Sequence, residues 1–160
     1  MKRFCLLLFV SALFLSSSGC QPANRPEGLP TLHPCTVTVT QNGAPVADVS
    51  VQLIAKEASN WPSGGITDAA GKAVIVTYGR FPGVPLGEYT VVLSKQESKS
   101  DPSADEYTSG TTEIFSLIAV EHTKQETSAL RLTVNKGKNA ESFEVGAPVR
   151  VLVDTIQPGT

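Results

Sequence analysis

Few residues in this chain of 160 are of types that do chemistry, and their spacing limits what each one does. A hydrolytic centre needs a nucleophile beside a base, or a metal held by several ligands. The two histidines are His33 and His122. His33 lies among prolines, where a solvated side chain is expected. His122 sits beside Glu121 and Lys124, after an apolar run, and reads as a loop or surface residue rather than a catalyst. Asp101, Asp105 and Glu106 fall in the stretch DPSADE. Carboxylates suit calcium, but calcium loops place their ligands on alternate residues. This stretch does not, so it reads as a solvated acidic loop without a metal. The cysteines are Cys5, Cys20 and Cys35, with no C-x-x-C pair for a metal. No cofactor and no enzymatic activity are expected. Trp61, in SNWPS, lies between strand-like runs. Such an aromatic either covers the edge of a core or stacks on a sugar.

Cys20 is different because of what precedes it. Lys2 and Arg3 form a positive start, Cys5 to Leu15 is an unbroken run of small and apolar residues, and Ser16 to Gly19 are small. That order is the layout of an export signal over residues 1–19. The run is too short for a transmembrane helix, which needs about 20 apolar residues, and no later stretch approaches that length. Ser17-Ser18-Gly19-Cys20 resembles a bacterial lipobox, in which the cysteine receives a diacylglyceryl thioether and becomes the mature N-terminus. Ser17 departs from the usual leucine of that motif. The resemblance implies a membrane anchor at Cys20. Two acyl chains hold stably, whereas one alone is marginal. Gln21 stands where aspartate would retain such a protein at the inner membrane, which implies the outer membrane if the cell has one.

Charge and length narrow the reading further. Lys2 and Arg3 leave with the signal, so 11 basic residues face 15 acidic ones. A mildly acidic chain without a basic patch argues against nucleic acid as partner. Cys35 is then the one remaining thiol. It shares a strand phase with Val37 and Val39, so it is expected to be buried and structural, the alternative being intermolecular pairing. About 140 residues suffice for one domain with a core that needs no disulfide.

Four prolines, Pro22, Pro26, Pro30 and Pro34, recur every four residues between Cys20 and Cys35. Residues 20–34 therefore read as a tether. At about 3.1 Å per residue it would hold a domain roughly 40 Å off the membrane, unless part of it lies against that domain. The rest alternates with period two. TVTVT (36–40), VSVQL (49–53), KAVIVTY (72–78), YTVVL (89–93), IFSLIAV (114–120), LRLTV (130–134), a short run at 142–145 and Val149, Val151 and Val153 all read as strands. Asn42-Gly43, Asp68 to Gly71 and Asn135 to Asn139 read as turns, with Gly43 and Gly71 at positive φ. Gln96 to Glu113 is polar and reads as a mobile surface loop. The expectation is an all-β antiparallel sandwich of about seven strands over residues 35–155, with 156–160 as a tail.

TVTVTQNGAPVADVSVQLIA, GITDAAGKAVIVT and VPLGEYTVVLSK together resemble the bacterial carboxypeptidase-regulatory-like domain, over residues 35 to 95. The matching positions are Gly43, Pro45, Val49 and Val51, then Thr67, Asp68 and Gly71, then Pro85, Gly87, Tyr89 and Val91. Asp48 stands near where that family often has alanine. The resemblance implies a transthyretin-like or Ig-like sandwich. It does not imply hydrolysis of 5-hydroxyisourate, because the Tyr-Arg-Gly-Ser ending and paired histidines of the relatives that do this are missing. It implies no isopeptide bond either, since TVTVT lacks the lysine. Two functions follow as expectations. The first is a lipid-anchored, non-enzymatic interaction or envelope-structure module, with an envelope protein as partner. The second is a glycan- or small-ligand-binding lipoprotein that uses Trp61 and the 96–113 loop.

Overall fold

A computed structural model describes residues 25–57, 59, 61–100 and 111–156. Cys20 and the preceding signal lie outside them, as do the acidic residues of 101–110. The described residues form thirteen short strands and one 3-10 turn, Val120–His122. In chain order the strands are β1 (Cys35–Gln41), β2 (Ala44–Pro45), β3 (Ser50–Ala55), β4 (Ser63–Ile66), β5 (Lys72–Val74), β6 (Val76–Thr77) and β7 (Phe81–Pro82). They continue with β8 (Gly87–Ser94), β9 (Gln96–Ser100), β10 (Thr112–Ser116), β11 (Arg131–Val134), β12 (Asn139–Glu144) and β13 (Val151–Ile156).

These build an all-β sandwich. One layer is β12-β1-β2, with β5 also on β1; the other is β11-β8-β3-β4-β6-β7. The core between them comes from the alternating faces expected from sequence. β1 contributes Cys35, Val37 and Val39, and β5 contributes Ala73. β3 contributes Val51 and Leu53, and β8 contributes Tyr89, Val91 and Leu93. β11 adds Leu132 and Val134. Cys35 is buried as anticipated, and burial pushes its thiol up to about 11.

Three sequence readings need correction. KAVIVTY is not one strand. β5 pairs with β1, whereas β6 pairs with β4 and β7 in the opposite layer. The chain changes sheet at Ile75, which is fully buried and whose N–H donates to Cys35 O at 3.0 Å. Second, 96–113 is not all loop. β9 and β10 pair as antiparallel strands, Ser100 opposite Thr112 and Gln96 opposite Ser116. The backbone ladder needs no apolar side chains, so the polar sequence QESKS concealed it. Third, IFSLIAV leaves the sheet at Ser116, buries Ile118 and ends in the 3-10 turn. One pairing also runs against the antiparallel rule, since β12 lies parallel to β1, Cys35 opposite Asn139.

Of the tether, its end is docked. Leu29 is buried, and His33 bridges Val84 through N–H donors in both directions, at 2.8 and 2.9 Å. His33 is thus half-buried against the sandwich rather than solvated, and its Nδ1 accepts the Gly137 N–H at 3.2 Å.

The turns sit as their residues dictate. Asn42 (φ 49°) and Gly43 (φ 74°) make a two-residue hairpin between Gln41 and Ala44. A carboxylate far along the chain caps it. Glu144 accepts from Thr40 Oγ1 at 2.8 Å, Asn42 N–H at 2.7 Å and Gly43 N–H at 3.0 Å. The Thr40 hydroxyl, the Gly43 N–H and the other nearby N–H groups hold this carboxyl below its ordinary 4.5. A depressed folded value means that its stabilisation is present above 4.5 and is lost as pH falls through the folded value. Glu144→Gln should therefore lower the melting temperature near neutral pH. The gap from the parent chain should close as pH drops below 4.5. Parallel melting curves at all pH values would contradict the cap.

A candidate site at the Trp61 cleft

Trp61 precedes β4 and is held by its own backbone. Its N–H donates to Ser59 Oγ at 3.2 Å, and its carbonyl accepts from Ser63 Oγ at 3.2 Å. Ser63 meets Thr77 Oγ1 at 2.9 Å, and Thr77 donates to Gly83 O at 2.8 Å. This buried hydroxyl relay ties the Trp61 strand entry to the β6–β7 hairpin. The indole meets the Tyr78 ring edge-on, with centroids 5.7 Å apart and planes at 67°. Tyr78 itself adopts φ 55°, unusual for a bulky residue. Its N–H donates to Pro62 O at 2.8 Å, which locks the pair in place.

The half-buried indole faces a cleft of about 580 Å³. Pro30, Ala55, Pro85, Leu86 and Tyr89 give it apolar walls, and Lys56, Glu57 and Glu88 give it a charged rim. Lys56 Nζ lies 2.7 Å from Glu88 Oε2. The hydrogen bond and charge of each partner push the lysine up and the glutamate down. Both are exposed, so this pair orients the rim more than it stabilises the fold. The Tyr89 hydroxyl is turned away and donates to Pro85 O at 2.9 Å. That bond, closing four residues, accounts for the proline-to-tyrosine spacing noted in the sequence. The arrangement offers one flat apolar ring beside a donor and an acceptor. It can stack on and hydrogen-bond a small hydroxylated ring.

The docked N-terminal segment shares this place. A Cβ on Gly28 would lie 3.9 Å from the Trp61 ring. Trp61 therefore lies between the docked segment, Tyr78 and an open cleft.

The 96–113 segment does not join Trp61 through its described residues. β3 and β8 run antiparallel, Ala55 opposite Tyr89 at the Trp61 end and Ser50 opposite Ser94 at the other. β9 begins just beyond Ser94, so five strand residues, about 17 Å, separate the two. Asp68 and Gly71 form the turn assigned to them. Asp68 Oδ1 accepts the Ala70 and Lys72 N–H groups, both at 2.9 Å, and Gly71 has φ 71°. Thr67 was read only as part of this turn. Its buried hydroxyl accepts from Val49 N–H at 2.8 Å and donates to Val46 O at 2.7 Å. His122 Nε2 lies 3.7 Å from Glu121 Oε1, and its Nδ1 is buried without a partner among the described residues. Among the described residues no three His, Cys, Asp or Glu side chains gather to hold a metal. No helix among them is long and apolar enough to cross a membrane.

No family model and no curated protein matches this chain. A solved structure, the 9R-lipoxygenase from Cyanothece PCC8801, is similar at 13% identity and a TM-score of 0.34, over 78% of this chain and 18% of that one. A likeness at that level carries no argument about fold or activity.

Proposed function

We propose that this chain is an exported lipoprotein, anchored through Cys20, whose sandwich serves as a non-enzymatic interaction or envelope-structure module. The sandwich is read as a carboxypeptidase-regulatory-like domain, on the motif residues quoted above. The observation that carries the proposal is Ser18-Gly19-Cys20 placed directly after the apolar run. The docking of Leu29 and His33 revises its geometry. With the tether's end fixed to the sandwich, only residues 20–28 are left to span the gap. At about 3.3–3.6 Å per residue they reach no more than about 30 Å. The module therefore works close to its membrane, the outer one if the cell has one. Mass spectrometry of the native protein should find an acylated N-terminus at Cys20, and Cys20→Ala should leave the membrane fraction or persist as precursor. An unmodified soluble chain beginning elsewhere would refute the anchor.

The Trp61 cleft favours a second reading, a binder of glycans or small hydroxylated ligands. Trp61 is the one tryptophan, so its fluorescence reports the cleft directly. Saturable quenching or a blue shift with oligosaccharides prepared from the cell envelope, lost in Glu88→Ala, would support this reading. An unchanged spectrum at millimolar sugar would remove it.

A further inference from the structure

We infer that residues 25–32 are a movable strap, hinged at His33, that walls one side of the Trp61 cleft when docked and opens it when it lifts. Its effect on a ligand rests on the binder reading of that cleft, whereas the strap itself does not.

The strap meets the cleft in two places. Pro30 lines it, and the backbone of Gly28 lies beside the indole, where an added Cβ would be 3.9 Å from the ring. Lifting the strap takes both neighbours from one side of Trp61. Pro85, Leu86 and Tyr89 belong to no part of the strap and keep their places.

The shape of the strap is set internally. The Leu29 N–H donates to Pro26 O at 3.2 Å, and Gly28 has φ 78°, the left-handed third position that glycine favours in a β-turn. Arg25 Nη2 donates to Leu29 O at 3.2 Å and to Pro30 O at 2.6 Å. These bonds join the strap to itself and add nothing to its hold on the sandwich.

That hold is slight. Leu29 is the one buried residue of 25–32, and it lies outside the contiguous core. Among the described residues no hydrogen bond ties 25–32 to the sandwich. Pro26 and Pro30 have no N–H to give one. The first such bonds come at His33, which exchanges two with Val84, a fully buried core residue. Pro34 O then accepts the Asn139 N–H at 2.8 Å. At this hinge the backbones touch, since a Cβ on Gly83 would stand 2.8 Å from His33 O. Segments with few buried apolar contacts and few backbone bonds open locally, without global unfolding. Residues 25–32 meet that description, and β1, which begins at Cys35, does not.

Opening also lengthens the anchor. The free span grows from residues 20–28 to residues 20–32, which reach at most about 45 Å. A closed cleft thus goes with a module held close to its membrane. This consequence, unlike the strap, needs the lipid at Cys20.

The test uses the full chain, purified in detergent without ligand. Leu29→Cys puts a small apolar thiol at the peg, to be labelled with a bulky maleimide beside native Cys35. Each rate is divided by that of the same thiol in the urea-unfolded chain. The introduced thiol should be roughly tenfold less protected than Cys35, because it is exposed by local opening alone. Once labelled, the strap cannot redock, so acrylamide quenching of Trp61 should about double and its emission move to the red. Leu29→Ser should do the same without label. Circular dichroism melts confirm that each variant is folded. Equal protection of the two thiols would make the strap a fixed part of the sandwich and overturn the proposal. Unchanged Trp61 quenching after labelling would overturn it too, by removing the strap from the cleft. The mass of Cys20 is read in the same samples, and an absent lipid removes only the anchor and its reach.

Discussion

Gly71→Val is expected to destabilise the sandwich by about 3 kcal/mol or more. Two costs combine. Gly71 has φ 71°, a left-handed conformation that a β-branched residue adopts only with strain, on the order of 1–3 kcal/mol. It also has no room. A Cβ there would stand 2.6 Å from Val39 O and about 3.0 Å from the Pro45 side chain. Relief would mean moving the turn away from β1, where Gly71 O accepts the Val39 N–H at 2.8 Å. Overpacking of this kind adds roughly 1–3 kcal/mol. Urea unfolding should show a lower midpoint with an unchanged slope. Gly71→Ala should fail in the same direction, because the clash is with the first side-chain carbon. A valine variant as stable as the parent would mean that this turn does not lie closely against β1 and β2.

Thr67→Val should cost about 2–4 kcal/mol, although the two side chains are nearly the same in size and shape. The threonine hydroxyl is buried between Val46 O and the Val49 N–H. Valine puts a methyl group there and leaves a buried donor and a buried acceptor without partners, at roughly 1–3 kcal/mol each. Thr67→Ser keeps both bonds and should retain most of the stability. That contrast between two substitutions isolates the hydroxyl. A serine variant that loses stability while the valine variant keeps it would show that packing of the methyl, rather than the hydrogen bonds, matters at this position.

These two residues mark where sequence reading ends. Gly71 was legible as a turn glycine because Asp68 and Gly71 obey a local rule, the left-handed position of a short turn. That Val39 O sits beneath it was not legible, since β1 lies some thirty residues away. Thr67 was legible as part of the same turn, but nothing local announced the bonds of its buried hydroxyl. Its two partners become neighbours only when the β2–β3 connection folds over it. Glu144 is the same case at longer range, since nothing near it in the chain announces a cap for the hairpin at Asn42 and Gly43.

By itself the sequence determined the properties carried by neighbours in the chain. These are the all-β class, the alternating core faces of β1, β3, β8 and β11, the burial of Cys35 and the left-handed turns at Gly43 and Gly71. Side-chain alternation and turn chemistry act over two to five residues, so they are written locally. Only the tertiary structure decided which strands meet and in what direction. The parallel pairing of β12 with β1, the change of sheet at Ile75, the docking of His33 on Val84 and the pairing of polar β9 with β10 are all of this kind. So is the exposure of β13, whose valines alternate like those of a core strand but lie on a sheet that packs neither face into the core. Backbone hydrogen bonds join any two strands whatever their side chains, so pairing is settled by the packing of the whole chain.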